Sequence, residues 1–150
     1  MTLRPYRTDD LAAIADLFYR SVHTLCSGDY TKEQLDAWAT GHIDEEAWDA
    51  SFRARHTLVA EENGALLGFA DMAEDGYLDR LYVHPAHTGK GVATALVNAL
   101  EAACPAARFT THASKTARPF FERRGYCVKK EQQVVRRGAV LTNFVMKKTP

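Results

Sequence analysis

Val83-His84-Pro85-Ala86-His87-Thr88-Gly89-Lys90-Gly91-Val92-Ala93-Thr94 lies in the middle of a 150-residue chain and organises what surrounds it. Tyr77 to His84 has strand character and runs through Pro85 into a loop with two glycines. The loop opens directly into Val92, Leu96, Ala99, Leu100 and Ala103, an apolar face at helical spacing. Glycines let backbone approach a ligand closely, and the first N–H groups of a helix have no intrahelical acceptor. Such donors, at the positive end of the helix dipole, suit a phosphate or pyrophosphate. A turn that merely caps the helix is the competing reading, and a lone Gly-x-Gly does not separate the two.

Two phosphate motifs do not fit. In a Walker A loop a hydroxyl residue follows the lysine, whereas Gly91 follows Lys90. A dinucleotide-binding GxGxxG needs a third small residue, where Thr94 stands, and an acid about 20 residues later.

Elements extend outward in both directions. Upstream, Leu3 to Arg7 reads as a short strand and Thr8 as the hydroxyl cap of a helix carrying Leu11, Ile14, Leu17, Phe18, Val22 and Leu25. Thr31 and Gln34 have capping-box spacing ahead of Leu35 and Trp38. A weaker helical stretch covers Asp44 to Phe52. Asn63-Gly64 marks a hairpin between Thr57–Glu61 and Leu66–Met72, and Asp75-Gly76 turns the chain into Tyr77–His84. Downstream, Pro105 ends the loop's helix and Arg108 to Ala113 is a strand. A helix from about Lys115 to Arg124 tolerates Pro119 only near its start and is capped by Gly125. Tyr126–Val135 and Val140–Lys147 close the chain around Arg137-Gly138. The order β-α-α-β-β-β-α-β-α-β-β predicts an α/β (α+β) chain, a mixed sheet with helices on both faces, and one domain over residues 1–150.

Composition narrows the function classes. Lys plus Arg number 19 and Asp plus Glu 19, so no overall basic field for nucleic acid or an anionic membrane is expected. Local runs such as Lys129-Lys130 and Arg136-Arg137 read as solvated charges. Three distant cysteines (Cys26, Cys104, Cys127) offer neither a disulfide framework nor zinc spacing. With no leader-like start and no long apolar run, the expected setting is cytoplasmic. His84 and His87 lack an evident third ligand, so no metal is expected.

This order, with three local motifs, resembles the GCN5-related N-acetyltransferase family over nearly the whole chain. Thr88-Gly89-Lys90-Gly91-Val92-Ala93 matches the family's [Q/R]-x-x-G-x-[G/A]. Ser114 to Tyr126 resembles N-x-x-A-x-x-[F/L]-Y-x-x-x-G-[F/Y]. Leu3 to Arg7 with the Asp9-Asp10 helix resembles the family's start. The resemblance implies an acyl-CoA N-acyltransferase fold, a mostly antiparallel sheet of about seven strands whose fourth and fifth members splay apart. It implies acetyl-CoA as acyl donor, with pyrophosphate over Thr88, Gly89, Lys90, Gly91, Val92, Ala93 and Thr94. Leu81, Tyr82 and Val83 would pair with the pantetheine arm, near Ser114, Phe120 and Phe121. Relatives often dimerise, so a homodimer belongs to the expectation.

Three positions depart from the family pattern: Thr88 for Gln or Arg, Ser114 for Asn, and Phe121 for the Tyr that donates a proton to the departing sulfur. The resemblance places a general base on the fourth strand, at positions matching Tyr77 and Asp79. Strand alternation would put Tyr77, Asp79, Leu81 and Val83 on one face, which makes Asp79 the first candidate, with an ordinary arginine ion pair as the bland alternative. His112 is the second, with a structural histidine as its alternative. His23, Cys26, Tyr30 and Trp38 are expected to border the acceptor, although Trp38 also has core spacing with Leu35. The implied activity is direct attack of a primary amine, on a small molecule, peptide or protein, within a ternary complex. The alternative is an acyl-CoA-binding sensor that has lost chemistry, a reading kept open by Phe121.

Overall fold

The computed structural model describes residues 1–149, which build one seven-stranded sheet. In chain order the elements are β1 (Thr2–Pro5), α1 (Leu11–Leu25), α2 (Lys32–Trp38), α3 (Glu45–Ala54), β2 (His56–Glu62), β3 (Ala65–Met72) and β4 (Tyr77–Val83). They continue with α4 (Val92–Ala103), β5 (Phe109–Ser114), α5 (Arg118–Arg123), β6 (Cys127–Arg136) and β7 (Ala139–Lys148). Strands lie in the order β1-β2-β3-β4-β5-β7-β6. Every neighbouring pair is antiparallel except β4 and β5, which are parallel.

Local sequence explains the tight turns. Asn63 and Gly64 take φ of 52° and 79°, and Arg137 and Gly138 take 46° and 82°. Two consecutive positive φ values match the twist of an antiparallel hairpin. The Thr31–Gln34 capping box forms in both directions, at 2.9 and 3.2 Å.

Each face of the sheet carries its own apolar core. Val92, Leu96 and Leu100 of α4 and Phe121 of α5 pack with Leu58, Ala60, Ala70 and Met72. On the other face Ile14, Leu17 and Val22 of α1, Leu35 of α2 and Phe52 of α3 pack on Val59 and Phe69. The contact of α4 with the sheet requires Gly68. A Cβ there would lie 2.9 Å from the Tyr82 carbonyl oxygen and 2.9 Å from Val92 Cγ1. The first turn of α4 is thereby pressed against β3 and β4, which holds its N-terminus beside the end of β4.

Four expectations need correction. β1 stops at Pro5, and Thr8 caps nothing; its hydroxyl donates to Asp49 at 2.8 Å. Asp10 takes over the helix start, accepting from the Arg7 amide at 2.8 Å and from Arg4 through both oxygens at 2.8 and 2.9 Å. The last helix shrinks to Arg118–Arg123, because Pro119 fits only its first turn. β4 does not alternate evenly either: Asp71 faces Arg80 while Met72 faces Leu78, so Asp79 is an inserted residue, a β-bulge. Leu78, Leu81 and Val83 therefore share the α4 face. Tyr77 and Asp79 open instead toward the cavity walled by Tyr82 and Arg80.

Candidate active site

The parallel pair β4/β5 is joined only at Tyr77–Thr110 and Leu78–Thr111. The Thr111 hydroxyl makes a last tie to the Leu78 carbonyl at 2.9 Å. Beyond it β5 pairs with β7 through Ser114, while β4 bends away at the Asp79 bulge. Asp79 to Val83 and His112 to Ser114 are left with no strand partner across the gap. A strand edge with free N–H and C=O groups is a template for an extended ligand.

A cleft of about 550 Å³ runs along this gap, bounded by the start of α4 and by α5 on one side and by Ser21, Leu25 and Cys26 at the end of α1 on the other. Its walls include Leu81, Tyr82, Val83, Thr88, Gly89, Gly91, Val92, Ala93, Thr94, Ser114, Phe120 and Phe121. Lys90 is absent from the wall; its ammonium sits 3.3 Å from His87 Nδ1 at the exposed rim. Gly89 and Gly91 adopt φ of 75° and 79°, a left-handed conformation open to glycine and costly for other residues. This turn aims backbone inward: no described acceptor takes the amides of residues 89–94, and the first paired amide of α4 is that of Ala95, to Gly91 O at 2.9 Å. The Ser114 hydroxyl accepts from the Ala117 amide at 3.0 Å and fixes the turn into α5. Arg123, which the sequence reading passed over, also lines the cleft.

A second cavity of about 370 Å³ opens on the opposite face of the sheet. It shares Trp38, Asp79, Tyr82, His112 and Ser114 with the first, so the two meet between the parted strands. Phe18, Tyr30, Trp48 and Leu141 extend its apolar wall, and Arg80, Arg136 and Arg137 its polar one. Asn143 lines it too, with an Oδ1 that has no donor.

At the junction Asp79 is both candidate base and ion-pair partner. Its Oδ2 lies 2.5 Å from Arg55 and 3.7 Å from Arg80, and its Oδ1 3.5 Å from the Tyr77 hydroxyl. Arg80 in turn binds the fully buried Asp71 at 2.7 Å and stacks over Trp48 and Phe52. Two arginines and two aspartates thus compensate one another, and Asp79 Oδ1 has only the long Tyr77 contact. His112 is exposed, with its ring edge-on to Tyr77 at 5.3 Å and Nδ1 3.5 Å from Gln132.

Tyr82 is placed differently from the other tyrosines. Its hydroxyl accepts from Trp38 Nε1 at 3.3 Å, and burial pushes its phenol well above the usual range. The phenol therefore keeps its proton, with that O–H free to donate. Tyr77 is pushed up to about 12, first by burial and then by the Asp79 charge.

The four residues expected at the acceptor divide. Trp38 stands at the junction and Tyr30 in the second cavity. Tyr30's hydroxyl is committed, donating to Thr142 O at 2.7 Å and accepting from the Lys115 amide at 2.9 Å. Cys26 lines the first cleft instead, where burial raises its thiol and keeps it protonated. His23 reaches neither cavity: Nε2 is held by Ala39 O at 2.8 Å and its ring stacks on Tyr19 at 4.1 Å. Among the described residues no group of three His, Cys, Asp or Glu could hold a metal, and no helix is long and apolar enough to cross a membrane.

Comparison with known proteins agrees with this geometry. The family model for an acetyltransferase (GNAT) domain matches residues 26–148. The uncharacterized N-acetyltransferase YafP of Escherichia coli (strain K12) is 38% identical over 148 residues, which is 99% of this chain and 95% of that protein. A crystal structure of a GCN5-related N-acetyltransferase from Rhodopseudomonas palustris, named aminotransferase class-II, superposes with a TM-score of 0.95 at 38% identity. It covers 99% of this chain and 95% of its own. The PaiA N-acetyltransferase of Thermoplasma acidophilum, solved in complex with coenzyme A, shares the fold at a TM-score of 0.81 and 18% identity, over 99% and 98% of the two chains.

Proposed function

The chain belongs to the GCN5-related N-acetyltransferase family and is an acetyl-CoA-dependent N-acetyltransferase, and we propose a division of labour among its residues on that premise. The observation that supports it is the meeting of two cavities in the gap between β4 and β5. Donor and acceptor can reach that gap through separate cavities without passing one another, which is what a ternary complex requires.

On the α4 side the unpaired amides of 89–94 fit a diphosphate, with Lys90 and Arg123 at the margin supplying positive charge. The free edges of Leu81 to Val83 suit an amide-bearing arm laid between the strands, against Phe120 and Phe121. Acetyl-CoA supplies a thioester carbonyl, which an amine attacks as a C–N bond forms and the C–S bond breaks.

On the other face, an alkylamine must first lose a proton. At pH 7 that costs about 4 to 5 kcal/mol for a lysine-like amine. Asp79 Oδ1, at the bulge and in both cavities, is the proposed proton acceptor. Tyr82, protonated and with its O–H free, is the donor available in the gap, whereas Phe121 contributes only packing. Cys26, buried and protonated, plays no nucleophilic part. Three free cysteines suit a reducing, cytoplasmic setting.

A thiol-release assay with acetyl-CoA and a panel of amines tests this reading. Acceptor-dependent coenzyme A release is expected. Tight acetyl-CoA binding without release by any amine would overturn it.

A further inference from the structure

The second cavity is walled by aromatic rings and has no spare negative charge. Phe18, Tyr30, Trp38, Trp48, Tyr77 and Tyr82 all line it, and its volume of about 370 Å³ is that of a small-molecule site. The rings run, tilted or edge-on, from Trp48 through Phe18 to Tyr82, at 5.1 and 4.9 Å between centroids. Trp38 continues the wall to Tyr30 at 5.5 Å. Trp38 Nε1 is taken up by the Tyr82 hydroxyl, and the Tyr30 hydroxyl by Thr142 and Lys115. What Trp38 and Tyr30 offer a guest is therefore ring carbon, which suits a flat aromatic partner.

The charges around these rings are matched or positive. Asp79 is the one acid on the wall, and its Oδ2 lies 2.5 Å from Arg55 and 3.7 Å from Arg80. Fully buried Asp71 lies 2.7 Å from Arg80 and 3.6 Å from Arg55, so two acids and two bases cancel at the strand gap. Arg136 and Arg137 line the cavity with no carboxylate in ion-pair distance among the described residues. Arg137 is fixed there, its Nη1 donating to the Ala37 carbonyl at 2.6 Å. An ammonium entering this cavity would give up water and meet no unmatched carboxylate, and burying an unmatched charge is costly. An alkylamine is almost wholly ammonium at pH 7, with about one molecule in 2,500 neutral. An amine attached to an aromatic ring is neutral there, because its lone pair is delocalised into the ring.

We propose that the acetyl acceptor is an aromatic amine, its nitrogen bonded directly to the ring and uncharged at neutral pH. Its ring lies among Phe18, Trp38 and Trp48, and its nitrogen turns to the gap between β4 and β5. The lone pair attacks the thioester carbonyl with no proton lost beforehand; a C–N bond forms and the C–S bond breaks. The proton that the nitrogen then releases goes to Asp79 Oδ1, the oxygen that Arg55 does not hold, and the departing sulfur takes the Tyr82 proton. This rests on the acetyltransferase reading above and goes further by naming the acceptor class.

The test compares aniline, benzylamine and cyclohexylamine at pH 7 and saturating acetyl-CoA, with the uncatalysed rate subtracted. Aniline and cyclohexylamine match in size and differ in charge, whereas benzylamine keeps the aromatic ring and adds the charge. On total amine, the wild type is expected to favour aniline by roughly 10- to 100-fold in kcat/KM, less than the difference in neutral fraction because aniline is the weaker nucleophile. Arg55→Gln removes the cation that matches Asp79 and should raise kcat/KM for both alkylamines relative to aniline by at least about tenfold, the effect of one charge-assisted contact. Unchanged thermal unfolding and acetyl-CoA binding would show the variant to be folded, and the wild-type comparison decides the proposal even where it is not. Equal or faster acetylation of either alkylamine by the wild type overturns the aromatic-amine proposal, as does release with other amines of a panel but none with aniline. An equal change for all three acceptors in Arg55→Gln overturns it too. Each of these results leaves the acetyltransferase reading standing. No release with any amine, aromatic or alkyl, overturns both.

Discussion

Asp71, with no solvent exposure, takes the Arg80 guanidinium at 2.7 Å and the Arg80 amide at 2.8 Å, so one buried carboxylate holds both the side chain and the backbone of the residue after the β4 bulge. The bulge turns Asp79 toward the gap. Removing one partner of a buried pair strands the other, at a cost of about 3 to 5 kcal/mol. Asp71→Asn should lower the folding free energy by that amount in urea denaturation. A loss under about 1 kcal/mol would show that the pair does not hold the bulge.

Asp79 and His112 are separated by one pair of variants. Asp79→Asn should cut kcat by about 10²- to 10⁴-fold, the usual contribution of a general base, and leave acetyl-CoA affinity unchanged. His112→Ala, at an exposed ring in contact with Tyr77 and Gln132, should change kcat by no more than about threefold. The reverse ranking would move the base to His112.

The glycines of the chain divide by physical cause. A Cβ on Gly91 would meet nothing within 4 Å, but its φ of 79° strains any other residue by about 1 to 3 kcal/mol. Gly91→Ala should raise the acetyl-CoA Kd, by calorimetry, about 5- to 100-fold and lower the unfolding temperature only by the roughly 2 to 10 °C that this strain implies. Gly68→Ala has the opposite signature. Its Cβ would crowd the Tyr82 carbonyl and Val92 at 2.9 Å, so stability should drop before affinity does.

Acid should loosen the fold through Asp10 and Glu101. Burial opposes ionisation of both carboxyls, but their hydrogen bonds outweigh it, from Arg4 to Asp10 and from Lys148 to Glu101, so both lie below their ordinary range. A group with a lowered folded pKa contributes stability above its unfolded value, near 4, and loses it as pH falls through the folded value. Urea midpoints should therefore be steady above about pH 5 and fall below about pH 4. Asp10→Asn and Glu101→Gln should each flatten that decline, and a midpoint independent of pH down to about 2 would contradict the assignment.

Much of this was legible from short stretches of sequence, because short-range chemistry specifies it. Asn63-Gly64 and Arg137-Gly138 announce their turns through the positive φ they permit, and Thr31 with Gln34 announces a helix start. The glycine loop was readable for the same reason: two glycines before a helical repeat leave amides unpaired. What escaped the reading was decided across long distances. The Asp79 bulge reverses the face pattern of β4, and it depends on Asp71 in the neighbouring strand. His23 is drawn off by the Ala39 carbonyl, and Arg137, which reads as a solvated turn residue, is anchored to Ala37. Thr8 is drawn from the helix start to Asp49, and the Asp10 carboxylate, held by Arg4, accepts instead from the Arg7 amide.

The gap between β4 and β5, with the amides that face it, is tested most directly by amide NMR during an acetyl-CoA titration. The largest shifts should fall on residues 89–94, on Asp79 to Val83, and on the turn from Ser114 into α5. Saturable acetyl-CoA binding that leaves the 89–94 amides unshifted would contradict the account at its centre.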